Sequence, residues 1–233
     1  MRLIPNTIRS LYLRAWVLPR VARSYRDLPA AETFRRIYAS GAWGVDAQWG
    51  FSSGSGSRGI VAEQYCSWVV NFIRERAIRT VVDLGCGDFY IGNRIIQQTG
   101  THYVGIDVVP ELIEHHKSAF DRPNIAFHCL DITKDPLPGA DLCLVRQVFQ
   151  HLSNAQIAAA LHNLERYPLA LVSEHVPRLP RSFNRDKVHG PDIRCYYGSG
   201  VYLDQPPFSR EICGSWEIPV DDVSVIRTVM IAA

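Results

Sequence analysis

The chain has 233 residues, 47% of them apolar, enough for one well-packed α/β domain with extensions. Lys and Arg number 25 against 23 Asp and Glu, a near balance that implies no general nucleic-acid surface. The six cysteines make no Cys-x-x-Cys pair, which argues against a zinc site, and no stretch reaches 18 uncharged apolar residues, so no transmembrane segment is expected. Free thiols in apolar strand runs fit a reducing, cytoplasmic setting.

Residues 1–40 form a basic arm, with Arg2, Arg9, Arg14, Arg20, Arg23, Arg26, Arg35 and Arg36 against Asp27 and Glu32. The arginines interrupt it too often for a signal peptide. Pro5, Pro19 and Pro29 cut it into pieces too short for a good membrane helix. The expectation is a helical arm that packs on its own domain or joins two copies as a homodimer, ahead of one that touches a membrane or an anionic partner. Trp43, Trp49 and Phe51 lead into the Gly/Ser run 52–57. Such a run is usually a linker. With aromatics before it and a helix after it, a folded-over loop is expected here. That helix spans about 60–76, with Ala62, Cys66, Val69, Phe72 and Ile73 on one face.

The chain is organised around Val81-Val82-Asp83-Leu84-Gly85-Cys86-Gly87-Asp88. The apolar run reads as a buried strand, two glycines make a tight turn, and Ile91, Ile95 and Ile96 recur at helical spacing. Strand, glycine turn and helix open a nucleotide-binding α/β sheet, and the glycines let a ligand approach the backbone. A dinucleotide fingerprint needs a third glycine where this chain has Tyr90. Asp83 and Asp88 suit a cationic, amine-bearing ligand better than a pyrophosphate.

A second strand, Tyr103 to Ile106, ends on Asp107, 20 residues after Gly87, where an acid binds ribose hydroxyls in this architecture. A helix follows Pro110, with His115 and His116 expected on its solvated surface. Further strands are expected at 125–129, 141–146 and 169–173, the last ending at Glu174-His175. Ser153 and Gln156 make a capping box for a helix carrying Ile157, Leu161 and Leu164. A polar insert spans 177–208, and strands at 216–220 and 224–231 close the chain as a hairpin turning at Asp221-Asp222. The expectation is one domain: arm and Gly/Ser loop over 1–60, core over 61–233, with the insert as a lid.

Asp-Leu-Gly-Cys-Gly-Asp at 83–88 resembles the first motif of class I methyltransferases. Ser-Gly-x-Gly-Ser, Gly-Ile-Asp, Asp-Leu-x-Leu-Val-Arg, His-Leu-Ser, Asn-x-Asp and Pro-Pro-Phe extend the resemblance over 53–208, to small bacterial class I O-methyltransferases of sugar and polysaccharide biosynthesis. Those proteins carry Asp after the strand-four Arg, where this chain has Gln147. The resemblance implies a Rossmann-like fold: a mostly parallel seven-stranded sheet with a C-terminal antiparallel hairpin and an N-terminal helical arm. It implies S-adenosylmethionine as cofactor, held by Ser53, Asp83, Gly85, Cys86, Gly87, Asp107, Val108, Asp131, Ile132 and Arg146, with Asp131 near the adenine.

A sugar hydroxyl does not ionise at neutral pH, so its methylation is helped by a base or a metal. His151, just past strand four, is the expected base, with Glu174 assisting. Were Mg²⁺ to take part, Glu174 and His175 would be its ligands. His175, Asp192, Arg194 and Tyr202 are expected to touch the acceptor, an oligosaccharide or small molecule and not a nucleic acid. The alternatives are a natural-product or lipid methyltransferase, an RNA methyltransferase, disfavoured by the balanced charge, a cofactor-binding scaffold without turnover and, from another class, an NAD-linked sugar dehydrogenase or epimerase.

Overall fold

The computed structural model describes residues 24–46 and 50–232. Most of the basic arm, residues 1–23, and Trp49 lie outside them, so any dimer contact there is not described. Helix α1 (Ala30–Ala39) lies in the described part of the arm, residues 24–40. It lies on its own domain, burying Thr33 and Ile37.

Helix α2 (Gly59–Glu75) precedes strand β1 (Thr80–Leu84), helix α3 (Tyr90–Thr99), strand β2 (His102–Asp107) and helix α4 (Pro110–Ala119). Strands β3 (Ile125–Cys129) and β4 (Leu142–Arg146), helix α5 (Asn154–Leu164) and strand β5 (Leu169–Pro177) follow. Strands β6 (Gly214–Pro219) and β7 (Ser224–Ala232) form the hairpin. The sheet has seven strands in the order β3-β2-β1-β4-β5-β7-β6. The first five are parallel, and β7 runs antiparallel between β5 and β6. The order reverses between β1 and β4, so a crevice opens at the carboxyl ends of those strands.

The strands are apolar on both faces because helices cover both. Along β4, Leu142 and Leu144 pack with α2 and α3, while Cys143 and Val145 pack with Ile157 and Leu161 of α5. Each such buried Leu or Ile contributes about 1.5–3 kcal/mol. The capping box forms as expected: Ser153 Oγ accepts from Gln156 N at 3.2 Å, and Gln156 Oε1 accepts from Ser153 N at 3.0 Å.

Two expectations are corrected. β5 runs on through Glu174 and His175 to Pro177. Its parallel register with β4 ends at Ser173, but antiparallel pairing with β7 carries it to the Pro177–Ser224 pair. His116 is not on the solvated surface: it is 1% exposed, and its Nε2 lies 2.7 Å from the Gly87 carbonyl oxygen. Burial lowers its pKa. A neutral imidazole donating from Nε2 therefore supports the glycine turn from below.

Candidate active site

A cleft of about 480 Å³ lies at the carboxyl ends of β1, β2, β4 and β5. Its walls also draw on α1, the Gly/Ser loop and the insert, through Phe34 and Tyr38, residues 53–58, and Pro191, Ile193 and Tyr196. Two halves differ in construction.

The glycine half is built on the β1–α3 turn. Gly85 N and Cys86 N both donate to the Ile106 carbonyl, at 2.7 and 2.9 Å, which ties the turn to the end of β2. Gly85 and Gly87 have φ of +76° and +55°. A Cβ on Gly85 would lie 2.4 Å from Val148 Cγ2, and one on Gly87 would lie 2.3 Å from Ser53 Oγ. Asp107 Oδ2 accepts from Gly87 N and Oδ1 from Val109 N, both at 3.1 Å. This carboxylate therefore holds the turn as well as facing the cleft. Asp83 Oδ2 accepts from the Tyr103 hydroxyl at 2.7 Å. Burial pushes both Asp83 and Asp107 up to about 6. Asp131 is raised by burial, but bonds from the Thr133 hydroxyl and N–H, with Lys134 nearby, bring it below its ordinary value.

The Gly/Ser loop folds over this turn, as its aromatic flanks suggest. Ser53 N donates to Asp88 Oδ2 at 2.9 Å, and Asp88 N donates back to Ser53 Oγ at 2.8 Å. Arg58 Nη1 pairs with the same carboxylate at 3.0 Å. Asp88 is thus a clasp for the loop and not a free anion awaiting a cationic ligand. Farther along, Arg146 Nη2 donates to the Gly56 carbonyl at 2.6 Å.

The histidine half is the turn at 148–152. Glu174 is 2% exposed and accepts from Val148 N, Phe149 N and Gln150 N at 3.2, 2.8 and 3.0 Å. Arg194 is 1% exposed and grips the far side of the turn, donating to the carbonyls of Phe149 and Leu152, each at 2.8 Å. Its remaining bonds go to Asn154 Oδ1 and the Arg185 carbonyl. The turn presents His151, whose Nδ1 lies 3.1 Å from the Gly190 carbonyl and whose ring centroid lies 4.9 Å from that of Trp43. Since a carbonyl only accepts, Nδ1 carries the proton and Nε2 is left as acceptor. Burial, with the Lys187 charge, lowers His151 to about 3, so the ring is neutral at physiological pH.

Residues 81–167 match the family model described as a methyltransferase domain. That stretch carries a methyltransferase domain, on a Rossmann-like fold of the class I type. No curated protein matches the chain. Among solved structures, the methyltransferase domain of bacterial CtHen1 is 16% identical with a TM-score of 0.55, over 75% of this chain and 100% of that one. Human N-acetylserotonin methyltransferase in complex with SAM is 16% identical with a TM-score of 0.53, over 95% of this chain and 69% of that one. Magnesium protoporphyrin IX methyltransferase from Synechocystis PCC 6803, with bound SAM, is 17% identical with a TM-score of 0.50, over 99% of both chains. Likeness at this level shows the fold.

Within the methyltransferase cleft, all ten residues expected at the cofactor stand on the wall: Ser53, Asp83, Gly85, Cys86, Gly87, Asp107, Val108, Asp131, Ile132 and Arg146. His151 and His175 stand there too. Four expected site residues do not. Glu174 is spent on three backbone N–H groups and does not line the cleft, so it orients the turn instead of assisting as a base. Arg194 is spent on carbonyls in the same way. Asp192 pairs with Lys187 at 3.2 Å and accepts from the Tyr197 hydroxyl at 3.1 Å. The Tyr202 hydroxyl donates to the Pro177 carbonyl at 2.6 Å. Among the described residues no group of three His, Cys, Asp or Glu side chains could hold a metal, so nothing supports Glu174 and His175 as a Mg²⁺ site. Their side chains also have other partners, His175 Nε2 lying 2.9 Å from Ser224 Oγ.

Tyr38, Trp43, Arg58 and Gln150 also line the cleft, and none of them stands out as a site residue in the sequence. Aromatics ahead of a Gly/Ser loop were the only signal for the first two. Gln150, next to the expected base, had none. No described helix is long and apolar enough to cross a membrane.

Proposed function

We propose that the protein transfers a methyl group from S-adenosylmethionine to a hydroxyl of a sugar or oligosaccharide, with His151 as the base. The carrying observation is the placement of His151 on the cleft wall with Nδ1 3.1 Å from the Gly190 carbonyl, a contact that assigns the proton to Nδ1 and leaves Nε2 as the acceptor. The glycine half fits the cofactor chemically. Asp107 offers an ionisable acceptor at the end of β2 for ribose hydroxyls, and Asp131 offers one for an adenine amino group. Likeness to structures solved with SAM supports the same reading.

When bound, the cofactor supplies an electrophilic methyl on a cationic sulfur. The chain's own work is to place the acceptor oxygen in line with that methyl and to take its proton. Positioning supplies most of the rate, and His151 Nε2 receives a proton already loosened as the new bond forms. Trp43 beside His151 offers an aromatic face to a sugar ring, and Gln147, Gln150 and His175 offer polar partners to its hydroxyls. The insert, which brings Pro191, Ile193 and Tyr196 to the cleft, acts as a lid that closes once ligands are present.

A second reading, a hydroxyl on an apolar small molecule or lipid, is favoured by Ile193, Val220 and Ile226 on the same wall. Labelled cofactor offered with mono- and oligosaccharides, and separately with phenols and long-chain alcohols, decides between them. Label in the saccharides supports the first reading, and label only in the apolar alcohols replaces it with the second.

A further inference from the structure

A short piece of the insert holds the ring of the proposed base. Residues 187–192, Lys-Val-His-Gly-Pro-Asp, form a loop whose two ends meet. Lys187 Nζ lies 3.2 Å from Asp192 Oδ1, with the two side chains only 6% and 4% exposed. Between those ends, one residue touches His151 twice. Gly190 N donates to the His151 carbonyl at 3.0 Å, and the Gly190 carbonyl lies 3.1 Å from His151 Nδ1. Lys187 Nζ donates to the same His151 carbonyl at the longer distance of 3.5 Å. The outside of the loop is fastened to the arm and the segment after it. His189 Nε2 lies 2.9 Å from the Leu28 carbonyl, and Trp43 Nε1 donates to the Pro191 carbonyl at 3.4 Å. Neither Lys187 nor Asp192 lines the cleft, so the pair does not meet a ligand directly. A lysine and an aspartate shut away from water are costly apart, which ties the two ends of the loop together.

We propose that Lys187 and Asp192 are positioning residues for His151: their ion pair closes the loop that delivers the Gly190 carbonyl to His151 Nδ1. The proposal rests on His151 as the base. A neutral imidazole carries one proton, and the hydrogen bond made by one ring nitrogen decides which of the two carries it. With the Gly190 carbonyl in place, the proton stays on Nδ1 and the Nε2 lone pair is open to an acceptor hydroxyl. With the loop open, nothing at Nδ1 opposes the other tautomer. In that form Nε2 bears a hydrogen and has no lone pair with which to accept a proton. The two buried ion-bearing sets at the turn thus divide the work. Glu174 and Arg194 hold its backbone through N–H groups and carbonyls, whereas Lys187 and Asp192 set the tautomer of the side chain it presents.

The test reads the ring directly. Protein labelled with ¹⁵N in its histidines is studied by long-range ¹H–¹⁵N NMR at neutral pH, with His151 assigned as the signal that His151→Ala lacks. The wild type is expected to show His151 with its proton on Nδ1. In Lys187→Met that form is expected to give way to a mixture with the Nε2–H tautomer. Lys187→Arg, which keeps a positive charge opposite Asp192, is expected to retain the wild-type signature. Asp192→Asn keeps the volume and tests the pair from its other end, should Lys187→Met not fold, and is expected to give the same mixture. Circular dichroism confirms folding, and S-adenosylmethionine is expected to bind each variant within a few-fold of wild type. On whichever of the saccharides or long-chain alcohols the wild type methylates, Lys187→Met is expected to lower kcat by up to about 10²-fold, with a smaller change in KM. A folded Lys187→Met or Asp192→Asn variant that keeps the proton on Nδ1 would overturn the positioning role and leave the base intact. A wild type whose His151 carries its proton on Nε2 would overturn the base reading itself.

Discussion

In the glycine half of the cleft, most of the groups that fix the backbone come from adjacent strands close in sequence. Gly87 N reaches Asp107, 20 residues on, and Gly85 N and Cys86 N reach Ile106. In the histidine half, Phe149 N reaches Glu174, 25 residues on, and the Phe149 carbonyl takes Arg194 from 45 residues away. The first half is a turn whose glycines relieve contacts with Val148 and Ser53. The second is a turn held open by a buried acid on one side and a buried guanidinium on the other. Two charges taken out of water are costly unless their hydrogen bonds are satisfied. Here they are satisfied by the backbone of the turn that carries the proposed base. Cofactor binding should therefore be robust to damage in the histidine half, and catalysis should not.

The largest effect expected on breaking that division is on the chemistry. His151→Ala should lower kcat by about 10²–10⁴ while the variant folds, as judged by circular dichroism. The wild-type kcat should show no acid limb near pH 6.5, because burial holds His151 near 3 and the base stays neutral through that range. A limb at 6.5 that vanishes in the alanine variant would contradict the buried geometry.

Removing the clamp comes next. Arg194→Met leaves the carbonyls of Leu152 and Arg185 without the guanidinium that donates to them, leaves the Phe149 carbonyl with Leu152 N alone, and deprives Glu174 of its nearby positive charge. It should cost roughly 3–5 kcal/mol in chemical denaturation. A loss under about 1 kcal/mol would show that the turn does not depend on the clamp.

A smaller effect belongs to the glycine half. The folded-state pKa of Asp107 is raised to about 6, so its ionised form is present above that pH and lost as pH falls through it. Cofactor affinity should weaken over the same window, since the neutral carboxyl accepts ribose hydroxyls less strongly. Asp107 titrating above its unfolded value also means that its burial opposes folding as pH rises from about 4 to 6. A cofactor affinity flat from pH 8 to 5 would remove Asp107 from the ribose.

The division also explains what was legible in the sequence. Asp83-Leu-Gly-Cys-Gly-Asp88 could be placed because strand, turn and helix are consecutive and the glycine positions are dictated by contacts within that unit. Asp107 followed because its distance from Gly87 is set by one helix and one strand. Ser153 and Gln156 were legible because a capping box is local. Asp88 was misread because its partners, Ser53 and Arg58, come from a loop some thirty residues earlier. Glu174 and Arg194 looked like site residues because charged groups beside a cleft usually are. Only the fold reveals that backbone N–H groups and carbonyls already occupy them. Gln150 gave no sequence signal, since an amide becomes informative only when its neighbours are seen.

The central claim, two halves with separate tasks, is tested most directly by calorimetric titration of S-adenosylmethionine into wild type, Asp107→Ala and His151→Ala at pH 7.5. The account predicts saturable binding to the wild type, a loss of about 1.5–3 kcal/mol for Asp107→Ala from its missing charge-assisted bonds, and an affinity for His151→Ala within a few-fold of wild type. No binding to the folded wild-type protein, or an equal loss in both variants, would contradict it.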